Sequence, residues 1–313
     1  MSSNETRTYL AKVARLYYLE EMSQPEIARR MNVSIATVSR ALRKAREMDV
    51  VRITIDESFE RMGELESNLE KEWSLSECLV VPSHDRPSST YPEIAAAMSD
   101  VLSRLIGRGC TLGISWGETL KAVGENLKTI RTQELRVIPI IGAMGMVDTG
   151  IYPNSIAREF AARLKGTPYL VNTPAMVDNR AIRDSMLRDS HYRAVREIWQ
   201  KLDIAIIGVS GLNEDTSVFR QGIFSREELQ ALRVKGGVCA TNFAVLDANG
   251  ASLDDPISER ILGLPFEELA GIRQVIVVTA GKVKAEPLRA VLSSGVVTRL
   301  VTDEECARAL ARR

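Results

Sequence analysis

Between residues 78 and 303 the chain repeatedly switches its hydrophobic period, and this switching narrows the possible folds more than any other feature. Short apolar runs with β-forming residues occur at 78–81, 111–115, 136–142, 169–172, 204–210, 239–247, 274–281 and 299–303. Amphipathic segments of helical period lie between many of them, at 91–106, 116–127, 154–165 and 225–232. Strands that are apolar throughout are covered on both faces. The alternation therefore predicts an α/β domain, a mostly parallel, Rossmann-like sheet with helices on both sides. Ligands of such sheets sit beyond the carboxyl ends of the strands.

Glycine-rich turns fall at several of those ends. The run Gly113-Ile114-Ser115-Trp116-Gly117-Glu118-Thr119 passes from strand to helix. It places Ser115, Gly117, Glu118, Thr119 and unpaired backbone N–H groups at a helix N-terminus, which suits an anion such as a phosphate. The run lacks both the dinucleotide and the P-loop glycine patterns, so neither a nucleotide nor any other cofactor is expected. Further turns lie at 142–145, 208–211 and 279–284, the last bringing Lys284 to the start of a helix. Glu118 sets a negative charge beside the anion turn. Pro287 is compatible with the helix after Lys284 only in its first turn.

The N-terminal 55 residues have a different character. They carry ten basic against six acidic side chains in a chain of zero net charge, so a basic segment joins an acidic body, as suits a chain that grips nucleic acid at one end. Residues 8–20 show a broad apolar helical face. Ser23 and Glu26 then form a capping-box pair, with Pro25 in the first turn. Asn32 tolerates the left-handed turn that follows, and Ser34 caps a helix over residues 35–47. Ala28 allows close helix crossing, while Ile27, Val33, Val38 and Leu42 supply the seam. Ala36, Thr37, Ser39, Arg40, Arg43 and Lys44 are left on the outer face beside Ser34. Such a face can approach base edges and phosphates, so a helix-turn-helix on double-stranded operator DNA is expected.

Residues 56–76 read as a linker helix, with Phe59, Met62, Leu65, Leu69 and Trp73 spaced by three or four. That stripe suits either a neighbouring helix or the chain's own C-terminal domain. The expected organisation is residues 1–55 for DNA, 56–76 as linker and 77–313 for effector and oligomerisation. Cys78, Cys110, Cys239 and Cys306 are widely spaced and form no C-x-x-C pair, as expected of reduced thiols in a cytoplasmic protein. With only His84 and His191 as histidines, no metal site is expected. No apolar run is long enough for a membrane span.

The run Ser23-Gln24-x-Glu26-Ile27-Ala28-x-x-Met31-x-Val33-Ser34-x-x-Thr37-Val38-Ser39-Arg40 resembles the DNA-binding head of the SorC family of sugar-responsive regulators, also grouped with a branch of DeoR-type regulators. Gly281-x-x-Lys284-Ala285, Leu292 and Leu300-Val301-Thr302-Asp303-Glu304 resemble the end of that family's effector domain. So do Ser225-x-Glu227-Glu228-Leu229, Gly236-Gly237-Val238 and Asp247-Ala248-Asn249-Gly250. The resemblance covers nearly the whole chain. It implies a sheet domain resembling sugar-phosphate isomerases, assembly as a homodimer or homotetramer, and a phosphorylated sugar as inducer. Lys284 would face the phosphate with Thr119, and Asp247, Gln221 and Asn172 would face sugar hydroxyls. Ala280 stands where the family often has glycine, and Pro287 departs from its pattern. With Glu118, these keep a neutral sugar or sugar alcohol, held by Glu118 and Asp247, as a second candidate effector.

Two other classes compete. A sugar-phosphate isomerase-type enzyme with a fused DNA-binding head would need a general acid and base, for which Asp247 and Glu118 are the candidates, though no catalytic motif is present. A DNA-binding adaptor would bind no sugar at all.

Overall fold

Helices α1 (Ser3–Tyr18), α2 (Gln24–Met31) and α3 (Ile35–Glu47) arise where the caps predict them. They belong to a computed structural model that describes residues 3–51, 57–84, 86–144 and 151–312. The Glu26 carboxylate accepts from the Ser23 N–H at 2.8 Å and from its hydroxyl at 2.6 Å. These bonds hold its carboxyl below the usual range. Asn32 ends α2 in the left-handed region, with φ 52°. Ser34 then opens α3, its Oγ accepting from the Thr37 N–H at 3.1 Å. Leu10, Val13, Ile27, Ala28, Val38 and Leu42 form the core of this unit, with Val33 packed at its edge. Burying a side chain such as Ile27 stabilises by roughly 1.5–3 kcal/mol.

The chain divides into two compact units, Met1–Glu60 and Arg61–Arg313. In the second, Met62, Leu65, Leu69 and Trp73 of α4 (Glu57–Trp73) pack on the sheet core, so that part of the stripe is used within its own chain. The Phe59 side chain lies outside the described residues.

The strands follow as β1 (Glu77–Val81), β2 (Thr111–Ile114), β3 (Arg136–Pro139), β4 (Thr167–Pro168) and β5 (Ile204–Ile207), then β6 (Ser210–Gly211), β7 (Gly237–Thr241), β8 (Ala244–Asp247), β9 (Gln274–Val278) and β10 (Arg299–Asp303). Seven form a sheet in the order β1-β10-β9-β5-β2-β3-β4, every described pairing parallel. Helices α5 (Pro87–Leu105), α6 (Glu118–Asn126) and α7 (Pro153–Arg163) cover one face, where Ile94, Leu120 and Phe160 meet Ile204 and Ile206. Beyond them come α8 (Arg180–Arg188), α9 (Ser190–Trp199), α10 (Ser217–Arg220), α11 (Arg226–Val234), α12 (Ala285–Ser293) and α13 (Glu304–Ala311). Trp199, Leu288 and Leu310 meet Ala205 and Ile207 on the other face. Successive strand residues enter opposite cores, which is why β5 is apolar throughout.

Two expected strands are corrected. The run 239–247 is an antiparallel hairpin, β7 and β8, which joins β6 in a separate three-stranded sheet. Its buried turn residues Asn242 and Phe243 both have positive φ, 46° and 68°, the backbone of a tight hairpin reversal. The run 169–172 is not a strand: β4 stops at Pro168, and the last ladder bond runs from the Tyr169 N–H to the Val137 carbonyl at 2.7 Å. Beyond it the Asn154 amide clamps Val171, accepting from its N–H and donating to its C=O, both at 3.0 Å. A side chain thus takes the place of a neighbouring strand. The amphipathic pair α8 and α9 is an addition that the alternation of strands and helices does not predict.

Candidate effector pocket and DNA-facing helix

Beyond the carboxyl ends of β2 and β5, and beside the β7–β8 turn, a cavity encloses about 100 Å³. Ser115, Trp116, Gly117, Glu118 and Thr119 line it from the β2–α6 turn, with Gly208 and Val209 after β5, Thr241, Asn242 and Phe243 from the hairpin, and Lys284. Gly117 precedes α6 with φ 117°, a conformation that residues with a Cβ rarely adopt, and the first N–H groups of α6 follow it without an intrahelical acceptor. Gly281, at φ 92°, likewise turns the chain after β9, and its N–H donates to the buried Asp303 carboxylate at 2.9 Å. Asp303 also caps α13. This anchors the loop that delivers Lys284, and Pro287 falls within the first turn of α12 as its geometry requires.

Lys284 Nζ donates to the Val209 carbonyl at 3.1 Å. Burial pushes its pKa down, and Glu118 opposes that shift. No carboxylate among the described residues forms an ion pair with it. An ammonium drawn partly out of water without a counter-ion carries a cost, so an arriving anion would be favoured. Glu118, in contrast, is paired with Arg220 at 2.8 Å, which screens the charge that the sequence sets against an anion. The Tyr91 phenol lines the cavity and is pushed up in pKa by burial, with a counteracting bond from Thr119.

Five of the eight effector residues expected from sequence, Ser115, Gly117, Glu118, Thr119 and Lys284, therefore share one cavity. Asn172, Gln221 and Asp247 do not line it. Asn172 is exposed beyond the Asn154 clamp. Gln221 accepts from the Tyr152 hydroxyl at 3.3 Å. The Asp247 carboxylate is occupied by the N–H groups of Asn249 and Ala251, each at 2.9 Å, in the turn after β8. An Asp247–Glu118 acid–base pair is consequently not assembled. Tyr91, Thr241, Asn242 and Phe243 line the cavity although the sequence motifs do not mark them. A polar Thr-Asn inside an apolar run was the available signal for the last three. Of the other turns, 142–145 lies partly outside the described residues.

In the N-terminal unit, Ser34, Ala36, Ser39, Arg40, Arg43 and Lys44 are exposed and Thr37 is half-buried. The Ser34 and Thr37 hydroxyls bond one another at 2.8 Å. The Arg40 Nε donates to the Ala36 carbonyl at 3.3 Å, which leaves its terminal nitrogens to reach outward. Ile35, the first residue of α3, is 52% exposed, an apolar side chain at the end of the helix that would enter a groove.

All four cysteines are free and buried. Burial pushes the Cys110 thiol up to about 11, and those of Cys239 and Cys306 to about 12. Among the described residues no cluster of His, Cys, Asp and Glu could hold a metal, and no helix is long and apolar enough to cross a membrane.

The family described as "Putative sugar-binding domain" matches residues 57–312, and "Sigma-70, region 4" matches residues 12–48. The sorbitol operon regulator of Klebsiella pneumoniae is 29% identical over 100% of both chains. The deoxyribonucleoside regulator of Bacillus subtilis is 27% identical over 96% of both. The crystal structure of the full-length Klebsiella sorbitol operon regulator superposes with a TM-score of 0.75 at 28% identity, covering 98% of this chain and 99% of that one.

Proposed function

This chain belongs to the SorC family of transcriptional regulators with a sugar-binding domain, and we propose that a small carbohydrate in the β2–β5 cavity controls its grip on operator DNA. The effector class that the cavity favours is a sugar phosphate. The observation that carries this is Lys284, half-buried on the cavity with no carboxylate partner among the described residues, beside the N–H groups that open α6. Donors of this kind, held by Asp303 and Gly117 before any ligand arrives, bind an anion with little further cost of ordering.

A free sugar alcohol is the second reading. Relatives are named for a sorbitol operon and for erythritol catabolism, and the cavity also offers neutral acceptors. The mechanism has three parts. A cytoplasmic homodimer or homotetramer presents paired α3 helices to a palindromic operator. Arg40, Arg43 and Lys44 neutralise phosphates or grip guanine, while Ser39 and Ala36 approach base edges. Ligand then favours one arrangement of subunits over another and shifts operator affinity by its differential binding to the two.

Thermal shift of the full chain with free polyols and with sugar phosphates tests the effector, and sedimentation in the presence of DNA tests the assembly. A phosphosugar shift that vanishes in Lys284→Ala is the expected result. A shift that survives removes Lys284 from the phosphate, and no shift with any sugar leaves the adaptor.

A further inference from the structure

Two hydroxyls on the cavity, those of Ser115 and Thr241, offer lone pairs and no free proton. The Asn242 Nδ2 donates to the carbonyl oxygens of Leu264, at 2.9 Å, and Ile140, at 3.3 Å. Carbonyl oxygens only accept, so this pair sets which end of the amide is nitrogen and turns Oδ1 toward Ser115. Oδ1 cannot donate, so the 3.1 Å contact with the Ser115 Oγ is made by the proton of the serine. The Thr241 hydroxyl commits its proton in the same way, to the Gly208 carbonyl at 2.8 Å. A hydroxyl has one proton and two lone pairs. Ser115 and Thr241, both lining the cavity, can therefore only accept from a ligand.

The turn that holds this arrangement is itself under constraint. Asn242 and Phe243 are buried non-glycine residues in consecutive left-handed conformations, which persist only where surrounding contacts demand them. The two carbonyl bonds of Asn242 are one such contact. Phe243 supplies another, its ring edge-on to Trp116 with centroids 5.1 Å apart. Trp116 follows Ser115 directly, so the hairpin turn and the β2–α6 turn hold each other in register.

We propose that Ser115 and Thr241 form an acceptor wall that recognises hydroxyl groups of the effector as donors and excludes anionic oxygens, with Asn242 as the residue that positions it. An anionic oxygen against this wall would meet lone pairs with no proton between them, losing its water for nothing. A phosphate is then confined to Lys284 and the N–H groups of α6, and a hydroxyl-bearing carbon lies on Ser115 and Thr241. This reverses the expectation that Ser115 helps hold the anion. It rests on the sugar-effector reading above.

The test compares hydrogen-bond roles on the unmodified full chain by calorimetry. The probes are D-glucitol, erythritol, their terminal phosphate esters and inorganic phosphate, followed by monodeoxy and monodeoxyfluoro analogues of the one that binds. Fluorine can accept weakly but cannot donate. At one carbon, both replacements are expected to weaken binding about tenfold. Ser115→Ala or Thr241→Val should erase that difference, and inorganic phosphate should bind both variants as it binds the unmodified chain. A fluoro analogue that binds like the parent, a series with no sensitive carbon, or phosphate binding abolished in Ser115→Ala would each overturn the acceptor wall. If no probe binds at all, the sugar-effector reading itself falls and takes the wall with it, an outcome distinct from binding without the expected sensitivity.

Discussion

Arg220 of α10 donates to the Glu118 carboxylate at 2.8 Å, at the first residue of α6. Both side chains are about half exposed, at 54% and 52%, so the pair itself contributes little stability. Its consequence is for the ligand, because it covers a negative charge next to the N-terminus that would receive an anion.

Arg220→Ala uncovers that charge. Affinity for a sugar phosphate is expected to fall roughly two- to fivefold at low salt, the scale of an exposed pair, and the deficit should shrink at high salt. Glu118→Gln in the same background should restore it. Isothermal titration at two ionic strengths checks this, and an equal loss for a neutral polyol would show that the effect is not one of charge.

Lys284 makes phosphosugar binding depend on pH. Burial lowers its pKa in the free protein, and a bound phosphate would raise it again. Binding therefore takes up protons in the range between the two. Affinity is fully present below the lowered free-state pKa and is lost as pH rises through the pKa of the complex. For folding the sign is opposite. The unfolded chain binds more protons between the lowered pKa and 10.5, so the penalty of the half-buried ammonium is present in full below that window and fades as pH rises through it. Calorimetry in buffers of different ionisation enthalpy should register uptake for a phosphosugar and none for a polyol.

On α3, the exposed cations divide by role. Arg43→Ala or Lys44→Ala should weaken binding to all sequences alike and lower the salt slope by about 0.9 for each phosphate left without its cation. Arg40→Ala, if Arg40 reads a guanine, should cost about 1–3 kcal/mol on the specific operator and relax one base position. Fluorescence anisotropy across a salt series on operator and scrambled DNA separates the two outcomes. Unchanged specific binding in Arg40→Ala would remove it from recognition.

The turn between α2 and α3 tests the head's own stability. Ser34→Ala removes the cap on Thr37 and is expected to cost about 1 kcal/mol. Asn32→Gly should be nearly neutral at φ 52°, whereas Asn32→Val should cost roughly 1–2 kcal/mol, because a β-branched side chain resists the left-handed backbone. Amide exchange of α2 and α3 in the full chain would report both, and a stable Asn32→Val would contradict the turn assignment.

The local features were legible in the residues alone. Ser23, Glu26, Asn32 and Ser34 act within four positions of themselves, so the boundaries of α2 and α3 follow from short-range hydrogen bonding. The parallel sheet was also legible, since strands such as Ile204–Ile207 must be apolar throughout to be covered on both faces. What only the tertiary structure decided is where long-range partners intervene. Asn154 clamps Val171, 17 positions on, where the residues suggest a strand, and Asn242 splits an apolar run because Ile140 and Leu264 receive its amide. The same holds for the pocket. The β2–α6 turn announced Ser115, Gly117, Glu118 and Thr119 as a contiguous group, and Lys284 came from its place after a strand. The proton on Ser115 was settled by Asn242, 127 positions on, and the charge on Glu118 was covered by Arg220, 102 positions on. Hydrogen-bond direction and charge compensation belong to pairs, and only folding brings such pairs within reach.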